Sequence, residues 1–229
     1  MTKKLVPVCL AFVLCAAFLL GVGSVPAQPP LPNKDFKPLK PQLPQPSQGA
    51  EQSGLGSPGR EIPAWKARLE LARLLSFSKK YEQSIAQYQK VIKQKPDLLQ
   101  ARTELARVLF WAGEKEKALV ELDKISVDQA GAEAKLLKAD LLAGDKKYPP
   151  AVKLYRAYLK DQPRDLSARF RLAQALSWSG LYKPAIKEYR AILKEKPEDV
   201  QVRRHYAFVL SWDGKFEEAA RQLEMTLKD

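Results

Sequence analysis

The chain carries 39 Lys and Arg against 26 Asp and Glu over 229 residues, a formal net charge of +13, with one histidine and two cysteines. Such an excess of basic charge fits an acidic partner or an anionic surface. Cys9 and Cys15 sit in the leading apolar stretch and His205 stands alone. With one histidine, metal clusters and histidine-based acid–base catalysis are nearly excluded by inventory, and thiol chemistry depends on whether that stretch is retained.

Lys3 and Lys4 precede an almost wholly apolar run from Leu5 to Val25, and Val25-Pro26-Ala27 places small residues where a signal is cut. This pattern predicts an export signal over 1–27, and with it a periplasmic or secreted protein. Two alternatives stand beside it. A run of about 20 apolar residues can span a bilayer as an uncleaved anchor. Cys15 could carry a lipid, although Leu14 precedes it where a small residue is wanted. Gly21, Gly23, Ser24 and Pro26 favour cleavage. After a cut behind Ala27 the chain would hold no thiol.

Residues 28–60 change character. Pro29, Pro30, Pro32, Pro38, Pro41, Pro44 and Pro46 give way to Ser47, Gly49, Ser53, Gly54, Gly56 and Gly59. With few aromatics and no apolar period, this stretch buries too little surface to offset its ordering entropy. It is expected to be a disordered tether, stiffer in its proline half than in its glycine half.

From Trp65 onward one phrase returns. Leu109-Phe110-Trp111-Ala112-Gly113 reappears as Leu176-Ser177-Trp178-Ser179-Gly180 and as Leu210-Ser211-Trp212-Asp213-Gly214. Five units align, starting at Trp65, Leu99, Ala132, Leu166 and Val200, so residues 61–229 read as one repeat domain. Each has two apolar blocks at helical spacing around a turn. Ala72, Ala106, Ala139, Ala173 and Ala207 share one column, and Ser84, Ala118, Ala151, Ala185 and Ala219 another. Small residues there let helices approach closely. Tyr88, Leu122, Tyr155, Tyr189 and Leu223 are placed to fill the space between units. Pro96, Pro163 and Pro197 stop one helix, and Asp97, Asp165 and Glu198 suit the positive end of the next.

Leu172, Ala173, Ala185, Tyr189 and Pro197 follow the order and spacing of the tetratricopeptide repeat, and from Trp65 onward the chain resembles that family. Lys138 and Tyr206 stand where its leucine belongs, and Pro149 and Pro150 open a second helix. A first helical turn tolerates proline. The resemblance implies an all-α, right-handed superhelical solenoid of about five hairpins. Its first helices would line a concave groove that holds other proteins. The trailing Phe216, Leu223 and Leu227 would offer an apolar strip for self-association or a partner.

On that geometry the candidate groove residues are Arg73, Arg107, Trp111, Phe170, Arg171 and Gln174. Trp178, Arg204, His205, Phe208 and Trp212 continue the set. Arginine forks pair with carboxylate, sulfate or phosphate, and flat rings hold sugars, prolines or other rings. The plainer reading packs Trp111, Trp178 and Trp212 over the glycine turns and leaves the arginines as a solvated face. The family's clamp on a terminal carboxylate is not reproduced, because its columns hold Leu69, Arg73, Glu104, Glu133 and Leu137. Tyr182 and Phe216 behind the turns also resemble repeats of exported envelope proteins. No nucleophile–base pair, phosphate loop or metal spacing is present. Although Glu104, Glu133 and Asp140 could approach one another, the expectation is a non-catalytic scaffold without cofactor. It would bind an acidic protein or peptide, with an anionic glycan as the alternative. Nucleic acid is a poor candidate, because no motif for it is present.

Overall fold

The computed structural model describes residues 62–227. The expected signal over 1–27 and tether over 28–60 lie outside them. Ten helices and no strand occur among the described residues. They form five antiparallel hairpins: α1 (Ala64–Phe77) with α2 (Tyr81–Gln94), α3 (Leu99–Trp111) with α4 (Lys115–Asp123), and α5 (Ala132–Gly144) with α6 (Tyr148–Asp161). The remaining two are α7 (Leu166–Trp178) with α8 (Tyr182–Glu195) and α9 (Val200–Trp212) with α10 (Phe216–Glu224). The second helix of each hairpin packs on the first helix of the next, which makes the stack a solenoid.

Each turn inside a hairpin passes through the left-handed backbone region. Gly113, Gly180 and Gly214 take φ of 85°, 74° and 78° there. Hairpins one and three place Lys79 and Lys146 at the same point, with φ of 58° and 59°. Only glycine occupies that region without a steric cost, so the turn column favours glycine but does not require it.

Helix starts follow local chemistry. Asp165 and Asp199 cap α7 and α9, each accepting a bond from a backbone N–H three residues on, Ala168 and Val202, at 2.9 Å. In the last hairpin the cap is therefore Asp199, and Glu198 lies one residue outside it. α3 has Leu98 at the equivalent place and no side-chain cap, which leaves Asp97 outside as well. Pro149 and Pro150 sit in the first turn of α6 and leave the helix unbroken to Asp161.

The buried residues form two clusters that meet at α5. Leu137 and Leu141 pack toward the first two hairpins, and Ala139 and Ala143 toward the last three. The alanine column is fully buried, with Ala72, Ala106, Ala139 and Ala173 at 0% exposure. Tyr88, Leu122, Tyr155 and Tyr189 fill the junctions at 1% or less, while Leu223 on α10 is 37% exposed. Full burial of one such side chain contributes about 1.5–3 kcal/mol. The departures from the leucine column are also accommodated. Tyr206 is buried, donating its hydroxyl to Glu218 at 2.7 Å and receiving a bond from Arg190. Lys138 reaches Asp123 on α4 at 2.8 Å.

Candidate functional site

The first-helix face carries a ladder of side chains, each reaching across a junction to the following hairpin. Arg73 on α1 donates two bonds to Glu104 on α3, at 2.8 and 2.7 Å. The Tyr88 hydroxyl donates to the same carboxylate at 2.9 Å, and Gln100 adds a bond at 3.0 Å. At the α5–α7 step the polarity reverses: Asp140 accepts from Arg171 and, at 2.7 Å, from Tyr155. Arg107 pairs with Glu133 and lies over the Trp111 ring, 5.9 Å from its centroid. Toward the end of the stack the ladder becomes aromatic. Tyr189 and His205 are parallel with centroids 6.5 Å apart, and Phe170 meets His205 edge-on at 5.1 Å.

Burial and charge tune these groups. Hydrogen bonding to Glu104 raises the Arg73 pKa, whereas desolvation lowers that of Arg107. Tyr88 and Tyr155 are pushed well above the ordinary phenol value, first by burial and then by the neighbouring carboxylate. Asp140 rises to about 6, because burial outweighs the opposing pull of Arg171 and Tyr155.

The structure thus sorts the candidates. Arg73, Arg107 and Arg171 are each engaged with a carboxylate of the next or preceding hairpin. Gln174 and His205 are buried, at 8% exposure each. Phe170, Phe208 and the three tryptophans are half-buried, and Arg204 is exposed. The tryptophans close the first helices and pack on the residue that opens the preceding hairpin's second helix. Trp178 meets Tyr148 at 5.4 Å between centroids, and Trp212 meets Tyr182 at 6.1 Å. Trp111 packs within the first core cluster, as does Tyr81. In hairpin three this column holds Gly144, and a Cβ there would stand 3.5 Å from Lys115 Nζ. Glu104, Glu133 and Asp140 do not form an acid–base set, since each faces an arginine.

One further column escaped the sequence reading. Arg68, Arg102, Arg169 and Arg203 each donate across their own hairpin to Gln87, Glu121, Glu188 and Gln222, always 19 residues on. Arg169 and Arg203 also bond the carbonyls of Pro163 and Pro197, tying each hairpin to the exit of the one before. The constant spacing between an arginine and a Glu or Gln was the available signal.

Stacked hairpins with paired charges across each of the four junctions define a helical-repeat protein. Models of the tetratricopeptide repeat match residues 78–141 and 136–200, together more than half of the sequence. The chain belongs to the tetratricopeptide repeat family. No curated protein matches it in sequence. Among solved structures, a crystal structure of MamA protein superposes with a TM-score of 0.66 at 17% identity, covering 71% of this chain and 90% of the other. MamA 41-end from Desulfovibrio magneticus RS-1 gives 0.66 at 15% identity, with 73% and 95% covered. MamA AMB-1 gives 0.64 at 20% identity, with 71% and 96% covered. At these identities the likeness establishes the fold.

Proposed function

We propose that the protein is a non-catalytic scaffold of the cell envelope that holds an acidic protein segment against its first-helix face. The observation that carries this reading is the state of that face. Its carboxylates Glu104 and Asp140 are each bound by an arginine and a tyrosine hydroxyl, while Phe170, Phe208 and Arg204 keep accessible surface at its trailing end. Rings with an adjacent guanidinium suit a peptide bearing apolar and acidic side chains. The net charge of +13 supports an acidic partner. Export is supported by the leading basic and apolar residues. Among the described residues no helix is long and apolar enough to cross a membrane.

Site-specific photo-crosslinking in cells tests the reading, with a photoreactive residue at Arg204 or Phe208 and, as control, at Lys187 on α8. Discrete protein adducts from the first two positions and not from Lys187 would support it. Carbohydrate adducts at those positions would replace the protein partner by a glycan. Equal adducts at all three would remove the groove assignment.

A further inference from the structure

The two ends of the stack present the two halves of an interface that the chain already makes four times internally. At three of the four internal junctions, two columns of the first helix are both buried on the preceding hairpin, and at the remaining one Leu141 is buried while Lys138 reaches back to Asp123. Leu105 and Val108 of α3 are each 2% exposed, Leu172 and Ala175 of α7 are 2% and 0%, and Tyr206 and Val209 of α9 are 3% and 0%. The same two columns on α1 hold Leu71 and Leu74, which are 44% and 64% exposed. The opposite half is open on α10. Tyr148 and Tyr182 each receive a tryptophan from the next hairpin. Phe216 occupies their column and is 62% exposed, next to the half-open Leu223.

We propose that a second copy of this chain fills that vacancy head to tail, its α1 packing on α10 and its Phe77, the residue in the tryptophan column, seating on Phe216. The two halves choose this arrangement over a symmetric one, because tail-to-tail pairing would set the open Phe216 column on itself and leave both α1 faces exposed. With Glu218 held by Arg190 and Tyr206, α10 keeps Glu217 and Glu224 against Arg221, and with Arg68 and Arg73 engaged inside the stack, α1 keeps Lys66 against Glu70. Tail-to-tail pairing sets acidic helix on acidic helix, whereas head-to-tail pairing sets the acidic helix on a balanced one. The ladder raises no objection, because Phe208 would meet Glu70 and no like charges would face each other. A head-to-tail contact is heterologous and does not close on two copies, so it extends into filaments or rings. This proposal is independent of what the groove binds.

The test is cysteine cross-linking of the full chain in cells that produce it, with Cys9→Ala and Cys15→Ala as background and a short, permeant bis-maleimide. The reach control uses the same two columns inside the chain, Lys115→Cys with Gly144→Cys, which should give an intramolecular bridge. Phe77→Cys with Phe216→Cys should give a ladder of dimer, trimer and higher species. Each single variant alone should remain monomeric, and a mixture of the two singles should stop at dimer. Leu74→Glu, on an already exposed side chain, should reduce the ladder at least tenfold. Dimers from Phe216→Cys alone would overturn the proposal in favour of symmetric pairing. A positive reach control with no ladder would overturn it outright.

Discussion

Removing Glu104 should uncouple the first hairpin from the rest of the stack. In Glu104→Ala the Tyr88 hydroxyl, on a side chain 1% exposed, loses its acceptor. An orphaned buried polar group costs about 1–3 kcal/mol. Arg73 loses both of its bonds, but its side chain is 30% exposed and can turn to water. Its share is therefore discounted to about 1 kcal/mol. The total of about 2–4 kcal/mol acts at a single junction, and in a repeat stack such a loss is felt by the neighbour it joins. Hydrogen exchange resolved along the chain reads it directly. Amides of α1 and α2 should exchange about 30- to 700-fold faster, at a factor of ten per 1.4 kcal/mol, while α5–α10 keep their protection. Glu104→Gln, which still accepts from Tyr88, should lose far less. Unchanged protection in α1 and α2, or an equal loss along the whole stack, would refute the reasoning.

The turn column yields a pair of opposite effects in thermal or urea unfolding. Lys146→Gly should stabilise by about 0.5–1 kcal/mol by relieving a left-handed lysine, and Gly180→Ala should destabilise by about 1 kcal/mol. Trp178→Ala removes a half-buried ring and should cost about 2 kcal/mol. A double-mutant cycle with Tyr148→Ala should return a coupling of about 0.5–1.5 kcal/mol, and zero coupling would mean that the stacking is incidental. Asp140 makes stability depend on pH. Its carboxyl titrates near 3.8 when free and is lifted to about 6 by burial. The folded state thus keeps a proton that the unfolded chain releases. Its stabilising contribution is complete below the free value and is lost as pH rises through about 6. Relative to Asp140→Asn, the natural protein should lose about 3 kcal/mol between pH 3 and pH 7. Parallel profiles would show that Arg171 compensates for burial in full.

The hairpins were legible because their signals are local and repeated. An alanine column, an aromatic or leucine column and an Ala–Gly, Ser–Gly or Asp–Gly turn each recur at a spacing that only a helix pair satisfies. Where a signal was missing, the backbone still took the same path: Lys79 and Lys146 adopt the glycine conformation because the packed helices on either side fix the turn. The candidate site was legible as positions but not as partnerships. Arg73, Arg107 and Arg171 stand out as basic residues on one face, yet what each does depends on a carboxylate 26 to 31 residues away on another hairpin. One sequence cannot tell a guanidinium that awaits a ligand from one already bound by its neighbour. The arginine column 19 residues before Glu or Gln was readable in principle. It was hidden because basic residues in such a basic chain invite a reading as binding surface.

The ladder also explains why the hairpins stack in one order. Their small-residue columns are nearly interchangeable, and apolar packing alone would let any second helix accept any first helix. The charged steps are not interchangeable. Arg73 is answered by Glu104, and Asp140 by Arg171, so the donor lies on the earlier hairpin in one case and on the later in the other. If the fourth hairpin stacked on the first, Arg171 would confront Arg73. If the second stacked on the third, Glu104 would confront Asp140. Each misordered junction sets like charges together, and the first also takes Glu104 from the Tyr88 hydroxyl, at a cost of several kcal/mol. The two reversed pairs thus act against wrong register in a chain whose repeats are otherwise alike. They do so with the same arginines that, read from the sequence alone, stand where a ligand would bind.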